Sequence, residues 1–191
     1  MKKVLLFFTV ALTQLVTAQT PKYHHSFTGS LNTSGFTLTG SGISLDTDKN
    51  GEADRAAKLA EGHGPVKVTI SNPNRILLRQ QGTVSLWYKH EGTGQSAFGT
   101  DKPLVFWSNG NSTWSEGIMM GLNSAGKIKV ASYRGVDDGV SGVSSVNFPT
   151  TGWNHLVVTW SMGNSDSFRT NVYLNGAKVI NIRSQSSQLS D

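Results

Sequence analysis

The segment that most constrains this chain is Asn171–Ile182, NVYLNGAKVINI. Alternating β-branched, aromatic and polar residues flank Asn175-Gly176, and a two-residue Asn-Gly connection closes a tight hairpin because both central positions must accept positive φ. Two more segments carry a period of two. Thr83–Lys89 (TVSLWYK) sets Val84, Leu86 and Tyr88 on one face and Ser85 and Trp87 on the other, and Trp153–Trp160 (WNHLVVTW) repeats the alternation behind a Gly-Trp start. The 21 glycines, with Ser, Thr and Asn throughout, separate short β-branched or aromatic stretches, which is the composition of many short strands joined by turns. The one segment with helical character is Glu52–Ala60, confined by Gly51 and Gly62.

These three segments together resemble the laminin-G-like, concanavalin-A-like jelly roll, and the resemblance extends over Tyr23–Arg183. It implies an all-β chain folded as a two-sheet antiparallel jelly-roll sandwich. On this reading Tyr23–Phe27 is an aromatic-ending first strand, Thr28–Gly42 a polar Gly-rich loop, and Leu45–Leu59 a loop leading into a small-residue strand. His63–Ile70 is a weaker strand, and Arg75–Gly82 a turn with a short helical piece. Pro103–Ser108 is a strand, Gly117–Leu122 and Lys127–Tyr133 form a hairpin around Ala125-Gly126, and Gly135–Ser145 is a loop. Members of the resembled family usually continue past the last hairpin, whereas here only Ser184–Asp191 follows. The expectation is therefore a sandwich lacking its C-terminal closing strands, which would self-associate through an unpaired sheet edge.

Residues 1–18 read as a secretory signal: Lys2 and Lys3, an apolar stretch from Val4 to Val16, then Thr17 and Ala18 before Gln19. The apolar stretch is short of the roughly 20 residues that span a bilayer, and no later segment is more apolar. Residues 19–22 form a short tail, 23–183 the domain and 184–191 a polar tail. The expected location is secreted, periplasmic or at the cell surface. Loss of the two signal lysines lowers the net charge from +5 to +3. The remaining cations are scattered singly, without the stripe that tracks phosphates, which argues against nucleic acid as a partner. With no Cys in the chain, disulfides, thiolate metal sites and Cys nucleophiles are excluded.

Glycan cleavage needs two carboxylates on one strand or on facing strands. In glucan-cleaving members of the resembled family they form Glu-x-Asp-x-(x)-Glu. Glu52-Ala53-Asp54 begins that pattern, but Ala56 and Ala57 stand where the second Glu belongs. No nucleophile elbow, His-Glu-x-x-His or phosphate loop occurs. The chain is thus read as a non-catalytic module that binds a polysaccharide or a cell-surface glycoprotein. The alternatives are a degenerate or partial glycan-cleaving enzyme, and a structural or adhesive domain without a small ligand. Ring faces stack on sugars while hydroxyls need polar partners. Trp107, Trp114 and Tyr133 are candidate ligand platforms, with Trp87 and Tyr173 on the strand face opposite the core beside Trp153 and His155. His155 matches a Trp-x-His element of the resembled family and reads as a structural residue hydrogen-bonded within the sheet. A weaker candidate is a calcium loop, Asp46, Asp48, Asn50 and Asp54 around Gly51, whose twelfth-position ligand would fall on Ala57; the competing reading is an ordinary solvated loop. Asp137-Asp138 is a second oxygen pair.

Overall fold

The computed structural model describes residues 26–33, 36–59, 67–70, 81–90, 105–108, 117–133, 139–162 and 168–184. Among them every regular element is a strand. In chain order these are β1 (Asn32–Thr33), β2 (Phe36–Thr39), β3 (Ile43–Asp46), β4 (Ala56–Leu59), β5 (Lys67–Ile70), β6 (Gln81–Lys89) and β7 (Val105–Ser108). There follow β8 (Gly117–Leu122), β9 (Lys127–Tyr133), β10 (Gly139–Asn147), β11 (Trp153–Met162), β12 (Phe168–Leu174) and β13 (Ala177–Ser184). Two four-stranded sheets dominate: a first in the order β13-β12-β11-β6 and a second in the order β10-β9-β8-β7, with every pairing antiparallel. A three-stranded sheet β1-β2-β5 and the hairpin β3-β4 complete the described strands.

The core lies between the two large sheets. Ile118, Met120, Leu122, Ile128 and Val130 of the second sheet meet Leu156, Val158, Trp160, Val172, Leu174 and Ile180 of the first. These are alternate residues of each strand, as burial of one face demands. Val84, Leu86 and Tyr88 pack against the same cluster from β6. One buried polar contact crosses the sandwich, from Ser132 Oγ on β9 to Thr170 Oγ1 on β12 at 2.8 Å. Gly82 pairs with Trp160, and a Cβ there would lie 2.0 Å from the indole Cζ2, so only glycine leaves room for the ring.

Both turns read from sequence form as hairpins. Asn175 and Gly176 have φ of 50° and 84° between β12 and β13, and Gly126 has φ of 71° between β8 and β9. Other expectations need correction. Thr28–Gly42 is not all loop, because it contains β1 and β2, the latter paired with β5. The described part of Glu52–Ala60, residues 52–59, holds no helix: its second half is β4, paired residue for residue with β3 and burying Ala56, so pairing overrides a weak helical propensity. The described part of the expected Gly135–Ser145 loop, from Gly139 on, is strand and belongs to β10. Its Gly142 lets β10 approach β13 so closely that a Cβ would lie 2.6 Å from Ile182 Cγ2. Gln81 and Gly82 belong to β6, not to a turn. Ser26 and Phe27 are not strand, Phe27 having a φ of 49°. The signal segment, the 19–22 tail, Tyr23–His25, most of Arg75–Gly82 and residues 185–191 lie outside the described residues. Among the described residues no helix is long and apolar enough to cross a membrane.

Candidate functional site

The outer face of the first sheet is built by strand alternation. With Leu86, Leu156, Val158, Val172 and Ile180 turned to the core, β6 must present Gln81, Thr83, Ser85, Trp87 and Lys89 outward, and β11 must present Trp153, His155, Val157, Thr159 and Ser161. Cross-strand register orders them into rows. Trp87 stands opposite His155, Ser85 opposite Val157 and Tyr173, Thr83 opposite Thr159 and Asn171, and Gln81 opposite Ser161 and Arg169. The rows end on β13 with Lys178, Asn181 and Arg183.

At one end of this face is an aromatic cluster. The Trp87 and His155 rings stack with centroids 4.9 Å apart and planes 21° apart. His155 Nε2 is hydrogen-bonded to Ser85 Oγ at 2.8 Å, which fixes the imidazole against the indole. The Lys49 ammonium lies 4.9 Å from the Trp87 ring centroid, a cation–π contact that brings the β3-β4 loop to the edge of the face. Trp87 is still 47% exposed, the largest exposed apolar side chain among the described residues. Asn175 holds the strand beneath it: its Oδ1 accepts from the His155 amide at 2.8 Å while its own amide donates to the His155 carbonyl at 2.8 Å. The Asn175 side chain thus continues the β11-β12 ladder by one residue, and its Nδ2 donates to Asn154 Oδ1 at 2.9 Å.

The aromatic candidates stand on two different sheets. Trp87 and Tyr173 stand on β6 and β12 of the first sheet, whereas Trp107 and Tyr133 stand on β7 and β9 of the second. Trp114 lies outside the described residues, as do Asp137 and Asp138. Ser85 and Lys49 as partners of the cluster were not singled out from sequence. Only strand register and the return path of the β3-β4 loop bring them there, and neither is written in local pattern.

The oxygen-rich loop between β3 and β4 closes on itself. Asp46 Oδ1 accepts from the Thr47 amide at 2.7 Å and Oδ2 pairs with Lys58 at 3.1 Å; these two contacts hold its carboxyl below the usual carboxylate value. Asp48 Oδ1 accepts from the amides of Asn50 at 2.8 Å and Glu52 at 3.0 Å. Partial burial works against the charge on Asp48, but the Glu52 and Asn50 amides outweigh it and its pKa falls. Asn50 Oδ1 accepts from Lys49 Nζ at 2.9 Å, and Asp54 adopts a φ of 57°. Three of the donors proposed for calcium, Asp46, Asp48 and Asn50, therefore face amides and ammonium groups. Among the described residues no three His, Cys, Asp or Glu side chains gather as a metal site.

A family model described as the concanavalin A-like lectin/glucanases superfamily matches residues 63–190, more than half of the chain. No curated protein matches it.

Proposed function

Since this chain belongs to the concanavalin A-like lectin/glucanases superfamily, a family of carbohydrate- and partner-binding modules, we propose that it is an exported, non-catalytic module that holds a glycan on the outer face of its first sheet. The observation that carries this reading is the exposed Trp87 ring, stacked on His155, which Ser85 holds by a hydrogen bond, at one end of a face that continues along the strands through Tyr173 to Thr83, Thr159 and Asn171. An exposed aromatic ring on a face that also carries hydroxyl and amide side chains matches the two surfaces of a sugar, its C–H face and its hydroxyl rim. Non-catalytic character is supported by the strands: among the described residues none of the eight in the two large sheets carries an Asp or Glu, where a carboxylate pair would have to stand. Export is supported by the Lys2-Lys3 start and the apolar stretch that follows.

The test is fluorescence titration of the protein with soluble polysaccharides, repeated on Trp87→Ala. The wild type is expected to bind at least one glycan, and the exposed substitution to weaken that binding by about tenfold or more with the fold intact by circular dichroism. Binding that is unchanged in Trp87→Ala, or no binding to any glycan, overturns the reading.

A further inference from the structure

Arg169 and Arg183 stand directly opposite each other across β12 and β13, both exposed. Neither takes part in an ion pair among the described residues. Like charges directly opposite on one sheet face destabilise the pairing. The juxtaposition also depends on a specific distortion. Counting back from the Asn175-Gly176 turn, Leu174 pairs with Ala177 and Tyr173 with Lys178, but Val172 then pairs with Ile180. The extra residue, Val179, is a bulge that shifts the register by one. Without it, alternation would turn Asn181 and Arg183 inward and Ile180 and Ile182 outward. The bulge therefore places Arg183 beside Arg169 on the outer face, and Asn181 beside Asn171 in the next row.

The four strands of that face carry Lys89, Arg169, Lys178 and Arg183 and neither Asp nor Glu; the acidic β3-β4 loop reaches it at the Lys89 end, where Asp46 acts on Lys89, away from the arginine row. We propose that this face selects an acidic polysaccharide, a glycan bearing carboxylate or sulfate groups, with Arg169 and Arg183 together gripping one anionic group; the proposal rests on the glycan-binding reading above. Guanidinium forks match carboxylate and sulfate oxygens in a planar, bidentate way that an ammonium cannot. The Tyr173/Lys178 row lies four residues along β12 from the arginine row, about 13 Å at strand rise, so the two anchor points suit an extended chain rather than a small ion. Between them Asn171, Asn181, Thr159 and Thr83 offer hydrogen bonds in place of the apolar centre that a protein interface uses. Four cations spread over three strands are too sparse to track a phosphate backbone.

The test measures affinity of the whole protein for a neutral glucan, a polyuronate, a dextran sulfate and single-stranded DNA, at low and high salt. The variants are Arg169→Gln, Arg183→Gln and Trp87→Ala. At least one acidic polysaccharide is expected to bind about tenfold or more tighter than the neutral glucan, with affinity falling as salt rises. The polyuronate and dextran sulfate arms show whether carboxylate or sulfate is preferred. Either arginine substitution is expected to abolish the preference and to leave the melting temperature of the unliganded protein unchanged or higher, because it removes a repulsion. Equal binding of neutral and acidic glycans that still requires Trp87 overturns this proposal and leaves the glycan-binding reading standing. DNA binding as tight as the best acidic glycan overturns it as unselective attraction of polyanions. No glycan binding at all removes both.

Discussion

Gly82 shows how a single missing side chain shapes this sandwich. An added methyl would sit 2.0 Å from Trp160 Cζ2 and 2.6 Å from two more indole carbons, and Trp160 is a buried member of the core cluster. Gly82→Ala is expected to destabilise the fold by about 1–3 kcal/mol through overpacking, read as a lower urea midpoint with unchanged slope. The hydroxyl pair between the sheets makes a second case. Thr170 is fully buried and bonds Ser132, so Thr170→Val preserves shape but strands the Ser132 hydroxyl. The expected cost is about 1–3 kcal/mol, with most of it recovered in the double variant Ser132→Ala/Thr170→Val, because the penalty lies in leaving one buried group unpaired.

Among elements, Asn175 links turn geometry to the aromatic cluster. Asn175→Gly keeps a residue that accepts the left-handed conformation but removes the side-chain acceptor of the His155 amide. A loss of about 1 kcal/mol is expected, together with altered Trp fluorescence as the His155 ring loosens against Trp87; an unchanged spectrum would mean that Ser85 alone fixes the ring. The same comparison shows what local pattern can carry. β6, β11 and the β12-β13 hairpin were legible because alternation and an Asn-Gly turn are local signals, and β8-β9 because Ala125-Gly126 marks its turn. β10 was not, since GVSGVSSVN has the composition of a loop. Its strand character depends on Gly142 fitting beneath Ile180 and Ile182, and on the buried Ser144, whose Oγ accepts from the Ile128 amide at 3.0 Å where the ladder is irregular. Likewise Trp87 and Tyr173 could be placed on one face from sequence, but the Arg169–Arg183 pair could not. Val179 carries no mark of a bulge, and a straight count from the turn puts Arg183 on the wrong side.

For the molecule as a whole, charge distribution sets the response to pH. The acids among the described residues are confined to β3 and the β3-β4 loop, while the large sheets carry only cations. Asp46, through the Thr47 amide and Lys58, and Asp48, despite partial burial and through the Glu52 and Asn50 amides, both have folded pKa values below the ordinary 3.8. A depressed carboxyl contributes stability that is present above the unfolded value and is lost as pH falls through the folded one. Tyr88 behaves oppositely at the alkaline end. Burial against the core holds its phenol above the ordinary 10.0, so its contribution is complete below that value and is lost as pH rises through the raised folded one. A melting-temperature profile across pH should therefore show a plateau with an acid limb that Asp46→Asn and Asp48→Asn flatten, and an alkaline limb that Tyr88→Phe flattens. The acid variants act on a loop outside the two large sheets, so their effect should stay small, in keeping with exposed pairs of this kind. An alkaline limb unchanged in Tyr88→Phe would assign that loss of stability to a group other than the buried phenol.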